Sequence, residues 1–193
     1  MDYALACIVG YLFGSISVSL LVARRHGVDL RRTGDGNPGA WNALEQLGWA
    51  RAWPAFVGDA VKGSVAALAG FALGDVWVAY AAVAAAMVGH AFPAFARLRG
   101  GKSVMTFVGG AVVLAPLAGA IALCLLAALS CTRGGFALGA RVGVFAFPLL
   151  QLATSPVEHV AATGGLMCLI GARFCLAGRS GRATTASVQP PTT

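Results

Sequence analysis

Long apolar runs separated by short polar loops set the pattern of this 193-residue chain. The runs are Tyr3–Ala23, Ala52–Leu73, Val76–Phe95, Val104–Cys131, Phe136–Ala153 and Val157–Cys175. Each is long enough for a helix that crosses the hydrocarbon layer of a bilayer, which takes about 20 residues. The pattern predicts an all-α fold, a polytopic transmembrane helix bundle. The run Val104–Cys131 is long for one span and has Pro116 in its middle, so it crosses once or twice. Dividing it gives seven passes and leaving it whole gives six.

The polar residues between the runs choose between these. Arg24, Arg25, Arg31 and Arg32 follow the first run at once, Arg133 and Arg141 flank the turn before Phe136–Ala153, and Arg173, Arg179 and Arg182 close the last run. Arginine-rich loops stay on the cytoplasmic side. Seven passes put all of them there, with the N-terminus outside and the C-terminus cytoplasmic. Residues 1–179 then form a single integral-membrane domain. The Thr- and Pro-containing segment 180–193 is expected to be a disordered cytoplasmic tail.

Composition agrees with a membrane protein: 58% hydrophobic and 11% charged residues, with a mean hydropathy of +0.78. The formal net charge of +7 sits mostly in loops, which fits orientation and contact with anionic lipid headgroups. It forms no continuous basic face for nucleic acid. Cys7, Cys124, Cys131, Cys168 and Cys175 lie in apolar runs without a metal-binding spacing, so no metal is expected.

Three polar stretches carry candidate chemistry. In Asp29–Gly48, Arg31 offers charge, Asn37 and Asn42 offer amides, and Gly36 and Gly39 offer bare backbone. Ala40–Leu47 is expected to form a short helix whose N-terminus points back at those glycines. Gly34, Gly36 and Gly39 satisfy a dinucleotide-binding spacing, but no strand precedes them, and that reading is rejected. Within the second run, Asp59 and Lys62 share a helix face and are expected to pair. Charge inside a span is costly and marks a functional position. In His90–Thr106, His90, Arg97, Arg99 and Lys102 surround Gly100 and Gly101 ahead of a helix, and the stretch ends at Thr106. Glycine amides, a positive helix end and an ammonium aimed at one point suit a phosphate. Gly101–Ser103 reads GKS, yet Ala96 stands where a nucleotide-binding phosphate loop needs its first glycine, so this is not such a loop.

These stretches, in this order, resemble one known family. They read YLFGSI at Tyr11–Ile16, D-x-R-x-x-G at Asp29–Gly34, GNPGAWN at Gly36–Asn42 and D-x-x-KG at Asp59–Gly63. GHAFPAF at Gly89–Phe95 and GGKSVMT at Gly101–Thr106 complete the set. The chain is similar to the bacterial acyl-phosphate:glycerol-3-phosphate acyltransferases (PlsY) from about Tyr11 to Val113, and more weakly to Gly178. The resemblance implies seven passes in the bacterial inner membrane and no metal or cofactor. It also implies acyl transfer from acyl phosphate to the 1-hydroxyl of sn-glycerol 3-phosphate, giving lysophosphatidic acid for phospholipid synthesis. An enzyme that produces acyl phosphate would be a partner.

Carried over residue by residue, His90 and Lys102 are the catalytic candidates. Arg31, Gly36, Asn37, Gly39, Asn42, Lys62, Gly100, Gly101 and Thr106 are the phosphate-binding ones. His90 would serve as general base or hold a phosphate oxygen. The chain departs from the family pattern at Asp35 (usually Ser), Glu45 (usually Arg), Ala91, Ser103 and Met105, and in the C-terminal motif around Cys168–Gly178. Two other readings stay open: a family member with another acyl acceptor, and a non-catalytic membrane protein that binds lipid or a partner.

Overall fold

The computed structural model describes residues 2–186, with side chains to Ala177. Among these residues every regular element is helical. Helix α1 (Tyr3–Gly14) is capped by Asp2, whose side chain accepts from the Leu5 amide, and α2 (Val18–Arg25) continues it after a break. Then come α3 (Ala40–Leu47), α4 (Trp49–Leu73), α5 (Val76–Ala91), α6 (Val104–Leu114), α7 (Pro116–Ser130), α8 (Gly135–Leu152) and α9 (Val157–Ala186). A short 3-10 turn at Ala94–Ala96 lies between α5 and α6. Five helical segments are long and apolar enough to cross a membrane, the first being α1 and α2 taken together; α6 and α7 are shorter apolar helices. Helix α9 runs on past Ser180, where the sequence places the start of the tail, and 187–193 lie outside the described residues.

The first expected span is thus two helices. The backbone at Ser15–Ser17 leaves the helical path, and Ser15 is held there from two sides. Its hydroxyl donates to the Tyr11 carbonyl and accepts from the Ala94 amide. At the broken turn the Ile16 carbonyl accepts from the Val18 amide and also from a side chain of the site below. Gly10 and Gly14 sit against the backbone of α5 at Ala82 and Ala86, where a Cβ would overlap the carbonyl oxygens. This small-residue seam is a close helix contact within the chain.

Pro116 divides the long run. It occupies the first turn of α7, where its missing N–H costs nothing. The chain folds back there: Gly119 packs on Val112, and Ala122 joins Phe107 in one apolar cluster. Helix α8 then returns along α7, with Gly139 against Leu126 and Gly143 against Ala122. The main cluster joins α4, α5, α6, α7, α8 and α9 through Ala67, Tyr80, Phe107, Ala118, Phe147 and Leu166. A second cluster, with Leu20, Leu30, Ala43 and Phe56, seats the loop before α3 on α2 and α4. This second cluster fixes the height at which the polar loops meet the bundle.

Candidate active site

A buried polar group lies at the base of the site. Asp59 and Lys62, one turn apart on α4, pair at 2.9 Å between Oδ1 and Nζ, and both are almost wholly buried. Ser19 Oγ donates to the other Asp59 oxygen at 2.9 Å. Lys62 Nζ also donates to the Ile16 carbonyl at 3.1 Å, and it lies 2.6 Å from Nδ1 of His90 on α5. The same Nδ1 lies 3.6 Å from Asp59 Oδ1; with Lys62 taken as the ammonium of its closer pair with Asp59, the acceptor role is assigned to Nδ1 and the ring proton to Nε2. Lys62 is therefore a buried support for His90, not the phosphate ligand expected from the sequence.

His90 Nε2 faces Gly101, where a methyl group would overlap the ring nitrogen. Glycine at 101 is required by this approach. The turn is fixed on all sides. The Gly100 amide donates to the Ala91 carbonyl and the Gly101 amide to the His90 carbonyl, both at 3.1 Å. Arg173 of α9 donates to the two glycine carbonyls, Nη2 to Gly100 at 3.1 Å and Nε to Gly101 at 3.2 Å, and its guanidinium lies over the Phe92 ring. Arg97, Leu98 and Ser103 take left-handed backbone conformations around the turn, which side chains rarely adopt. Ser103 is held by a 2.7 Å bond from its hydroxyl to the Met87 carbonyl.

The loop 26–39 packs onto this turn. Arg31 Nη2 donates to the carbonyls of Ala96 and Arg99 and ties the two loops together. Burial, then the neighbouring charge of Arg24, lowers its pKa from the ordinary guanidinium value. Asn42 is buried, and its amide donates to the carbonyls of Leu30, Thr33 and Asn37 at 2.9–3.1 Å. Asn42 spends its amide on three loop carbonyls and holds the loop in shape, while Arg31 ties the loops through Nη2 and keeps Nε without a hydrogen-bond partner among the described residues.

The glycines are corrected in the same way. The amides of Gly36 and Gly39 donate to the Thr33 and Asn37 carbonyls, and those of Gly100 and Gly101 are engaged as described. None of the four supplies the donor expected of it. They supply shape. A Cβ on Gly39 would come within 4.0 Å of the Gly101 backbone, so the two loops touch at these glycines, with the Asn37 side-chain amide beside Gly39.

The donors come one step later in each loop. Gly39 stands just before α3 and Ser103 just before α6, neither helix is capped by a side chain, and their first-turn amides have no partner among the described residues. Such helix starts carry partial positive charge and aim N–H groups outward. Lys102 stands beside them, its Nζ 3.0 Å from Asp35 Oδ2 and over the Phe174 ring. Thr106, in the first turn of α6, is fully buried and its hydroxyl has no hydrogen-bond partner among the described residues. Two helix starts, the Lys102 ammonium, the Asn37 amide and His90 Nε2 thus gather around the Gly39–Gly101 contact. The site suits a phosphate bound near a carbonyl whose oxygen becomes negative.

Sequence reasoning missed Arg173 and Ser19. Both act through contacts with segments distant in the chain, Arg173 with the Gly100–Gly101 turn and Ser19 with α4, and neither lies in a recognisable motif. It also missed that Asp35 pairs with Lys102. Glu45, the other acidic departure, accepts from Trp41 Nε1 on the exposed side of α3.

Residues 4–177 match the family model described as glycerol-3-phosphate acyltransferase. The chain is 42% identical over 116 residues to the glycerol-3-phosphate acyltransferase of Rubrobacter xylanophilus, an alignment that covers 60% of this chain and 58% of that one. It is 38% identical over 165 residues to the glycerol-3-phosphate acyltransferase of a Thermus thermophilus strain, covering 84% of this chain and 82% of the relative. Among solved structures it is similar to the integral membrane glycerol 3-phosphate acyltransferase PlsY in its glycerol 3-phosphate form. That match has a TM-score of 0.80 and 26% identity over 100% of this chain and 97% of the other. The lysophosphatidic acid form of PlsY matches with a TM-score of 0.76. With nearly the whole chain matched by sequence and by fold, this protein belongs to the glycerol-3-phosphate acyltransferase family.

Proposed function

We propose that this chain is an integral membrane acyltransferase that moves an acyl group from acyl phosphate to the 1-hydroxyl of sn-glycerol 3-phosphate. The products are lysophosphatidic acid and inorganic phosphate. The observation that carries this reading is the meeting of two uncapped helix starts at the Gly39–Gly101 contact, beside Lys102 and His90 Nε2. Both substrates bear a phosphate, and two such starts offer two sets of amides.

The hydroxyl oxygen attacks the acyl carbonyl carbon, the bond from that carbon to the phosphate oxygen breaks, and phosphate leaves. Holding the two partners together supplies much of the rate. Lys102 and His90 Nε2–H are donors to the developing oxyanion or to a phosphate oxygen. The acceptor nitrogen of His90 already faces Lys62, so the imidazole is not the base. The departing phosphate takes the hydroxyl proton. Acyl phosphate is already activated, so the chemistry calls on no cofactor or metal.

The site residues Arg31, His90, Arg99 and Lys102 cluster with the arginines after α2 at one end of the bundle. On this reading the chain makes seven passes, α1 and α2 together being the first, and the arginine-rich end supports a cytoplasmic site with the N-terminus outside and the C-terminus inside. The membrane is the bacterial inner membrane, and an enzyme that makes acyl phosphate supplies the donor from the same side.

The test uses the full chain in lipid nanodiscs with palmitoyl phosphate and glycerol 3-phosphate, following phosphate and lysophosphatidic acid together. Equal release of both is expected. Phosphate without lysophosphatidic acid means another acceptor or hydrolysis. Neither product from folded protein overturns the proposal.

A further inference from the structure

Asp35 sits on the edge of the site with both carboxylate oxygens engaged. Oδ1 accepts from the Asn37 amide at 3.0 Å, and Oδ2 accepts from Lys102 Nζ at 3.0 Å. The first bond closes a local turn in the loop before α3. The second spans the gap to the loop before α6 and places a negative charge on Lys102, the residue just before the α6 cap Ser103. The charge is not needed to join those loops, because Arg31 already bonds the carbonyls of Ala96 and Arg99. It is also not locked in place. Asp35 is 45% exposed and Lys102 22% exposed, in contrast to the buried Asp59–Lys62 pair.

We propose that Asp35 is an internal competitor for Lys102: its carboxylate holds the ammonium that a substrate phosphate must take, and so sets the affinity of the site for phosphate. This rests on the acyltransferase reading for its substrates. A phosphate dianion brought to Lys102 meets a carboxylate bonded to the same nitrogen. Either the Asp35 side chain turns toward solvent, losing the ion pair, or two anions share one cation. Both weaken substrate binding relative to a chain without this charge. Once the carboxylate has turned away, the Lys102 ammonium meets the phosphate as it would otherwise, so the step that follows binding is little affected. Asp35 is thus a positioning residue that acts through Lys102 on affinity.

Asp35→Asn isolates the charge. The amide oxygen still accepts from the Asn37 amide, so the turn is kept, while the anion is gone. Asp35→Glu keeps the anion. In nanodiscs, KM is measured for glycerol 3-phosphate at saturating palmitoyl phosphate and for palmitoyl phosphate at saturating glycerol 3-phosphate. Asp35→Asn is expected to lower one of these by about three- to tenfold, the scale of an exposed ion pair plus like-charge repulsion, with kcat within about twofold. Asp35→Glu is expected to stay near the unsubstituted KM. The substrate whose KM falls is the one whose phosphate meets Lys102. If neither KM falls in folded Asp35→Asn protein, or if kcat alone changes, the proposal is overturned. If no variant forms lysophosphatidic acid, the acyltransferase reading fails on its own. Calorimetric titration with glycerol 3-phosphate and with inorganic phosphate then decides the competitor role. Tighter binding of either by Asp35→Asn supports it, and equal or absent binding overturns it.

Discussion

Lys62 Nζ lies 2.6 Å from His90 Nδ1, and this contact fixes which nitrogen of the imidazole can act. With Nδ1 facing an ammonium, His90 presents Nε2–H toward Gly101 and the phosphate end of the site. On the proposed mechanism the histidine is a donor held from behind rather than a base. Nitrogen-15 NMR of histidine-labelled protein in nanodiscs, assigned with His90→Gln, tests this. The His90 Nδ1 resonance is expected among unprotonated ring nitrogens and Nε2 among protonated ones. The reverse would return His90 to the role of general base.

Lys102→Ala is expected to lower kcat/KM for lysophosphatidic acid formation by about 100-fold or more, the usual scale for removing one donor from a developing oxyanion or phosphate. Lys102→Arg is expected to recover only part of this, because a planar guanidinium does not place its charge where an ammonium does. Steady-state kinetics with both products followed would show it. Unimpaired Lys102→Ala would remove Lys102 from the mechanism.

Asp59 and Lys62 are valuable only together. Asp59→Asn leaves an ammonium buried among α2, α4 and α5 and is expected to destabilise the fold by about 3–5 kcal/mol. Combining Asp59→Asn with Lys62→Met is expected to recover much of the stability but not the activity, since His90 then loses its support. Thermal denaturation in detergent alongside turnover separates the two effects. A double variant with unchanged turnover would show that His90 needs no such support.

Gly14→Leu is expected to lower the melting temperature without changing the oligomeric state, because its seam lies between α1 and α5 of one chain. Light scattering in detergent reads the state directly. A dimer in the unsubstituted protein that becomes a monomer in Gly14→Leu would contradict this.

Much of this arrangement is legible in the sequence because its physical causes are local. Asp59 and Lys62 stand at i and i+3, so their pairing follows from helix geometry alone. The short helix Ala40–Leu47 is visible in the residues after Gly39, and Pro116 in the long apolar run marks the fold between α6 and α7. The break at Ser15–Ser17 leaves no such mark. It is held by the Ser15 hydroxyl, which donates to a carbonyl of α1 and accepts from an amide after α5, and an apolar run reads the same with or without it. The site is legible by membership and less so by role. His90, Lys102, Asn37 and the two glycine loops do meet. Yet whether a glycine gives its amide to a ligand or to a carbonyl of its own turn depends on the fold of the loop, which residue type does not encode. Asn42 looks like a ligand in a list of polar residues and becomes a strut once its three acceptors are known.

Arg173 carries a consequence for how the protein comes into being. The turn at Gly100–Gly101 is synthesised about halfway along the chain, and its carbonyls are braced by a residue of the last helix. A nascent chain that has inserted α1 to α8 holds His90, Lys102 and both glycine loops, but the turn between them lacks its clamp. Competence is then expected to wait for the insertion of α9, and molecules assembled without it are expected to be idle.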